Sequence, residues 1–524
     1  MQPSSSRRQF VRASGTLCIS ASLPAWLGAC ASATGGVPAD LARPADLGAA
    51  QAIDAIRTGR LAAVDYVQAL VVRAKARAGL NALIVLDEAG ALAAARRIDA
   101  DRAAGRPLGP LAGLAIVVKD NINTATLPTT GGTPALRGFQ PAANAPSLQK
   151  LVNAGAIVLG KTNLHELAFG ITSTNFSPFA GAVGNPYDPA RIPGGSSGGT
   201  AAAIGARIVA AGLGTDTGGS TRVPAALCGI AGLRPSVGNG GAERRYHDPL
   251  AVVPISHTRD TIGPMGRTVA EVALLDGVIT GDGHLPAVQP PQLRLGLPAP
   301  LWEGLDNGLA AVMAGARAKL QAAGVTLVDV PMPELLALNG KLSFAIALHE
   351  PVADLPAYLQ ANRAPVQTVA DLAKQIASPD VQGAFGAILG DAMGGAYPEA
   401  LQVLRPRLQA MYTEAFAQHR LDALLFPTTP LPAVPIDRAK GSSMVRINGG
   451  PEVDEFGAFI RNTDPGSNAG IPGLSLPAGL TADGLPVGLE LDGPVGSDRK
   501  LLAIGLMIER LLGPVPAPAP APKG

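Results

Sequence analysis

Charge is scarce in this sequence. Asp, Glu, Lys and Arg make up 16% of its 524 residues, against about 25% in ordinary soluble domains. The formal net charge is +2, and neither sign gathers into a long run, so composition gives no support to a nucleic-acid partner. No internal repeat is present. No His, Cys, Asp and Glu spacing matches a metal site either, since His165-Glu166 is followed by Leu-Ala-Phe and breaks the H-E-x-x-H zinc pattern. What the chain has instead is apolar residues, at 47%, and glycine, at 64 positions. That composition suits a large body with a substantial core and tightly packed helices.

Cysteine is also rare, with three in the chain. The first 35 or so residues differ in kind from the rest. Ser6-Arg7-Arg8-Gln9-Phe10 precedes an apolar stretch from Ala13 to Leu27, shorter and more interrupted than the ~20 residues of a membrane span. S-R-R-x-F resembles the core of a twin-arginine export signal, so residues 1–33 are expected to be a signal peptide and the mature protein periplasmic. Leu27-Gly28-Ala29-Cys30 looks like a lipoprotein processing site, which would lipidate Cys30 and anchor the chain to a membrane. Ala31-Ser32-Ala33 offers ordinary cleavage instead, and both readings stand. Either cut removes Cys18, and lipidation would leave Cys228 as the one free thiol. Cys228 lies in an apolar setting and reads as a packing residue. At the other end, residues 513–524 alternate proline and alanine and read as an extended, unpacked tail.

Between these ends the pattern alternates. Apolar residues recur at helical spacing over Leu47–Arg77. Leu111–Val118 and Ala156–Gly160 read as buried strands, with a helix over Ser147–Asn153 between them. Thr200–Arg207 and Ser220–Leu227 read as helices flanking a strand at Ile208–Leu213. Residues 291–420 are more helical, Ala423–Phe426 and Leu485–Leu491 read as strands, and Asp498–Leu512 as a terminal helix. This alternation predicts an α/β fold. No polar interdomain linker interrupts it, so 45–512 is expected to be one catalytic domain with a helical insertion.

Two glycine-rich loops stand out. Pro193-Gly194-Gly195-Ser196-Ser197-Gly198-Gly199-Thr200 has the composition of a flexible linker. It also matches the G-x-S-x-G nucleophile elbow, but a proline-rich loop stands where the elbow's strand belongs. A phosphate-binding loop fits no better, because the Gly-Lys-[Ser/Thr] ending is missing. The second loop, Gly214-Thr215-Asp216-Thr217-Gly218-Gly219-Ser220, places a serine at a helix start. Its glycines let backbone N–H groups converge as an oxyanion hole requires. A serine hydroxyl is inert at neutral pH until a base takes its proton, and no histidine is marked out for that task. Lys119 ends the apolar run Leu114–Val118. A lysine at a strand end is ordinarily a surface charge, but a buried one loses its proton readily and can act as a base.

Val118-Lys119-Asp120-Asn121-Ile122, Gly194–Gly199 and Gly214–Ala225, in this order and with the two serines 24 positions apart (220 − 196), resemble the amidase signature family. Gly232-Leu233-Arg234-Pro235-Ser236, Ser475–Gly479 and Gly484–Leu489 extend the resemblance, which covers about Leu47 to Leu512. The resemblance implies a large mixed, twisted central β-sheet covered by helices on both faces. It also implies a Ser-Ser-Lys triad, with Ser220 as nucleophile, Ser196 as proton relay and Lys119 as base. The Gly195–Ser196 bond would be cis. Backbone N–H groups of Thr217, Gly218, Gly219 and Ser220 would form the oxyanion hole, and Ser197, Thr215, Asp216 and Arg222 would support the loops. No metal or organic cofactor is implied.

Within that family, Val252–Thr261, Gly263-Pro264-Met265 and His349–Leu359 look like mandelamide and indoleacetamide hydrolases. This points to small aryl-substituted primary amides. An exported peptide amidase or aryl acylamidase is the main alternative. An amidotransferase subunit, or a non-catalytic binding lipoprotein on the same scaffold, stands behind these. His257 reads as structural more readily than as a substrate contact.

Overall fold

The computed structural model describes residues 43–519, so the proposed signal peptide, Cys30 and the last five residues of the tail lie outside it. Residues from Arg43 onward form one compact unit. Its centre is an eleven-stranded sheet in the order β1-β3-β2-β4-β6-β5-β12-β13-β9-β7-β8. The strands are β1 Leu83–Leu86, β2 Ala115–Lys119, β3 Ile157–Thr162, β4 Ala211–Asp216, β5 Ala231–Arg234, β6 Thr261–Gly266, β7 Arg294–Pro298, β8 Thr326–Val330, β9 Ala423–Pro427, β12 Gly473–Leu480 and β13 Pro486–Asp492. A separate hairpin pairs β10 Met444–Arg446 with β11 Glu452–Asp454. The runs β3-β2-β4 and β9-β7-β8 are parallel, while β4-β6-β5-β12-β13-β9 is antiparallel throughout. This is the expected mixed sheet.

Period-two alternation explains how helices cover both faces. On β9, Ala423 and Leu425 pack into one core with the helices Asn307–Ala322 and Asp498–Leu512, whereas Leu424 and Phe426 pack with Leu335–Ala347 and Arg405–His419. On β2, Ile116 and Val118 face a third core containing Leu148, Leu151 and Leu275. Lys119 has the opposite parity and leaves that core behind. The helix Gly198–Gly205 approaches so closely that a Cβ on Gly199 would lie 2.3 Å from the Asn163 carbonyl. Glycine is needed there for proximity, not flexibility.

The helical reading of 47–77 corresponds to Ala49–Arg57 and Ala63–Ala76, with Ile53, Ile56, Val67 and Leu70 buried. Two strands begin later than composition suggests. Gly113 at φ +82° turns the chain before β2, and Arg207 at φ +60° turns it before β4. Both strands then run on through polar residues, Lys119 and Thr215-Asp216. Residues 291–420 contain helices as read, and also contribute β7 and β8 at one sheet edge. The described part of the tail differs from the reading. Tyr187 Oη donates to the Pro516 carbonyl at 2.8 Å and Arg77 to that of Ala519 at 2.7 Å, so residues 513–519 lie against the body. Polyproline-like backbone leaves its carbonyls free to accept such bonds. No helix among the described residues is long and apolar enough to cross a membrane.

Candidate active site

The parallel pair β2 and β4 ends side by side, which brings Lys119 to Thr215. Lys119 is wholly buried, and its Nζ lies 2.7 Å from Ser196 Oγ and 2.7 Å from Thr215 Oγ1. Asn121 Nδ2 donates to the same Thr215 oxygen at 3.1 Å. Burial pushes the Lys119 ammonium down to about 7, and Asp216 and Asp260 counter this only in part. A second buried lysine, Lys161, serves a different purpose. Its Nζ donates to the Ile122 carbonyl at 2.8 Å and to Thr129 Oγ1 at 2.9 Å, and pairs with Asp120 at 3.4 Å, holding the loop after β2.

The Gly195–Ser196 peptide bond is cis, as the resemblance implies. Ser196 is fully buried, and its carbonyl accepts from His165 N–H at 3.1 Å and Ser173 Oγ at 3.3 Å. Ser197 bridges the two glycine loops. Its N–H donates to the Ser220 carbonyl at 3.2 Å, its hydroxyl donates to Thr215 O at 3.2 Å, and Thr215 N–H donates back to that hydroxyl at 3.3 Å. Lys119, Ser196, Ser197, Thr215 and Ser220 are thus brought together from three chain segments. The hydrogen bond from the Ser220 hydroxyl to Ser196 that a relay requires is not among those formed by the described residues.

Asp216 organises the second loop. Its carboxylate accepts from Gly219 N–H at 3.0 Å, Thr221 N–H at 3.1 Å, and the guanidinium groups of Arg222 (3.1 Å) and Arg234 (3.2 Å). Burial alone would raise the Asp216 carboxyl, but the two arginines outweigh it and hold the group well below the usual range. Gly219 has φ +140°, and a Cβ there would lie 2.2 Å from Thr463 Oγ1, so only glycine fits. Of the four backbone N–H groups expected in an oxyanion hole, that of Gly219 is committed to Asp216. Those of Thr217, Gly218 and Ser220 have no acceptor among the described residues.

Arg222 is buried between Asp216 and Glu490, whose Oε1 it contacts at 2.5 Å. Breaking a buried pair by removing one partner typically costs about 3–5 kcal/mol. Arg222→Met is therefore expected to lower the unfolding free energy by that order, seen as a lower denaturant midpoint. A variant with the wild-type midpoint would show that the cluster does not hold this loop.

Ser220, at 7% exposure, lines a cavity of about 300 Å³ together with Thr217 and Gly218. Most of its wall is apolar, with Phe169, Phe344 and Phe456 the largest side chains. Sequence reasoning missed several groups here. Arg259 pairs with Asp464 and donates to the Thr217 carbonyl at 3.2 Å, Asp260 accepts from Thr217 Oγ1 at 2.6 Å, and Thr463 Oγ1 donates to Gly218 O at 2.7 Å. Adjacent opposite charges at Arg259-Asp260, in a charge-poor chain, were the available signal. His257 does not line this cavity. Its side chain is 58% exposed and bonds Asp354 at 3.0 Å. Cys228 is buried, and burial pushes its thiol well up, consistent with packing.

Comparison with known proteins identifies the family. Residues 65–502 match the amidase family model. The indoleacetamide hydrolase of Agrobacterium vitis is 42% identical over 467 residues, covering 88% of this chain and 96% of that protein. The mandelamide hydrolase of Pseudomonas putida is 41% identical over 481 residues, covering 88% and 91%. The crystal structure of the native peptide amidase from Stenotrophomonas maltophilia superposes with a TM-score of 0.75 at 30% identity, covering 91% of this chain and 99% of that one. The chain belongs to the amidase signature family and is an amide hydrolase.

Proposed function

We propose that Ser220, Ser196 and Lys119 act as the catalytic triad, and that the substrate is a small aryl-substituted primary amide. The 2.7 Å contact between Lys119 Nζ and Ser196 Oγ in a fully buried setting carries this reading. A neutral amine takes the Ser196 proton while Ser196 takes that of Ser220, whose oxygen attacks the amide carbonyl. The free N–H groups of Thr217, Gly218 and Ser220 receive the charge that develops on the carbonyl oxygen. Ammonia leaves with a proton returned through Ser196, and water hydrolyses the acyl-enzyme. Thr215, Ser197, Asp216 and Arg222 keep the two loops in register. Substrate class rests on the phenylalanine-lined cavity and on the indoleacetamide and mandelamide hydrolases among the relatives.

The experiment is a panel of phenylacetamide, mandelamide, indole-3-acetamide and a peptide amide, followed by ammonia release. Turnover confined to the peptide amide would reject the aryl-amide reading. A covalent serine probe should label Ser220, and labelling elsewhere would reject the triad.

A pH dependence follows. The active form has neutral Lys119, present above its pKa, so kcat/KM should rise about tenfold per pH unit below about 7 and level off above. A profile flat from about pH 5 to 8 would remove Lys119 from this role.

We also propose export through the Arg7-Arg8 signal. The mass of the mature N-terminus tests it and distinguishes lipidation at Cys30 from cleavage after Ala33.

A further inference from the structure

The cavity wall is mostly apolar, with polar side chains in three places. One is the reacting loop at Thr217–Ser220, beside Ser343 and the Arg259–Asp464 pair. The second is Asp454, whose carboxylate accepts from Gly457 N–H at 2.7 Å. The third is formed by Asp380 and Ser442. Asp380 lies in the first turn of the helix Pro379–Leu389. One carboxylate oxygen accepts from Val381 N–H at 3.0 Å, and the other lies 3.0 Å from Nε2 of the buried His165. Burial pushes the Asp380 carboxyl up, but His165 and the backbone N–H outweigh burial and leave it below its ordinary value. A carboxylate offers about four acceptor positions, and these contacts use two. Ser442 Oγ is buried with no hydrogen-bond partner among the described residues. The segment before it lies against Asp380, since a Cβ on Gly441 would be 3.2 Å from Asp380 Oδ1.

Polar atoms with acceptor capacity left over on a mostly apolar wall are met by water or by a ligand's donor. We propose that Asp380 and Ser442 form a subsite receiving a hydrogen-bond donor, N–H or O–H, on the ring of the substrate, and that they select among aromatic amides. This rests on the aryl-amide reading above. A site built to receive a donor discriminates strongly against an analogue lacking it, because its own polar groups are then left unpaired.

The test compares indole-3-acetamide with 1-benzothiophene-3-acetamide, which replaces the ring N–H by sulfur at nearly the same shape. The wild type should favour the indole amide at least about tenfold in kcat/KM. In Ser442→Ala and Asp380→Ala the ratio should fall to within about threefold, through a higher KM for the indole amide. Asp380→Ala also removes the His165 contact, whereas Ser442→Ala breaks no side-chain hydrogen bond, so the two separate recognition from a damaged wall. Equal wild-type turnover of both amides, or equal losses for both in Ser442→Ala, overturns the subsite alone. Hydrolysis of neither, with turnover of a peptide amide, overturns the aryl-amide reading as well.

Discussion

Ser220→Ala is expected to yield a folded protein whose amide hydrolysis is lower by at least about 10⁴-fold in kcat, with substrate still bound. The hydroxyl is the only group lost, and the loop's two threonine hydroxyls are engaged elsewhere, Thr215 with Lys119 and Thr217 with Asp260. Ser220's structural contribution is made by its backbone, through the carbonyl that accepts from Ser197 N–H at 3.2 Å. Alanine keeps that carbonyl, and the unfolding free energy should change by less than about 1 kcal/mol. Single-turnover assays and thermal unfolding on the same preparation would check both halves. Wild-type turnover by the purified variant would reject Ser220 as nucleophile. Ser196→Ala should be milder, about 10²–10⁴-fold, because water can stand in for a proton relay.

Lys119→Met is expected to show opposite signs for activity and stability. Activity should fall at least about 10³-fold, since no other base among the described residues contacts Ser196 Oγ. Stability should increase. The Lys119 ammonium deprotonates near 7 when folded and near 10.5 when unfolded, a difference worth about 4 kcal/mol at pH 7. The folded value is the lower one, so the unfolded chain binds more protons across that window. Wild-type stability from this group therefore climbs from about pH 7 to about 10.5, and the full penalty applies below 7. Methionine abolishes the penalty and leaves the Ser196 and Thr215 hydroxyls each short of one hydrogen bond, about 1 kcal/mol apiece. A net gain of ~2 kcal/mol at pH 7 is expected from denaturant titration, shrinking as the pH approaches 10. A variant clearly less stable than wild type at pH 7 would show that Lys119 sits comfortably in its ordinary charged form.

The parts of the site legible in the sequence are those carried by short, contiguous motifs. Lys119, the Ser196-Ser197 pair and the loop ending at Ser220 each sit in a short motif that the family resemblance picks out, and glycine density marks where backbone must pass close to backbone. What was not legible arrives from far along the chain. Thr463 reaches Gly218 across 245 positions and Arg259 reaches Asp464 across 205. Nothing in a local pattern tells that Arg259 is buried in an ion pair rather than solvated. One central strand went unread for a related reason. β6 reads Thr-Ile-Gly-Pro-Met-Gly, a composition that argues against a strand, yet pairing along the whole length of β4 overrides it. The extension of β2 and β4 past the apolar runs has the same origin, because their last residues are polar and are satisfied by partners that only the folded structure supplies.

The cavity wall has a consequence for how this enzyme can change. The groups proposed for bond cleavage come from residues 119–220, with Lys119 ending β2, Ser220 just after β4 and Ser196 in the loop before the helix Gly198–Gly205. Phe344, Ala384, Ser442 and Phe456 come from the later helices and from the segments flanking the β10–β11 hairpin, none of them in the eleven-stranded sheet. A substitution among them alters which molecule fits without disturbing strand pairing or the two glycine loops. Chemistry and substrate choice are thus separately mutable, and new amides can be reached by exchanging wall residues on an unchanged reaction centre.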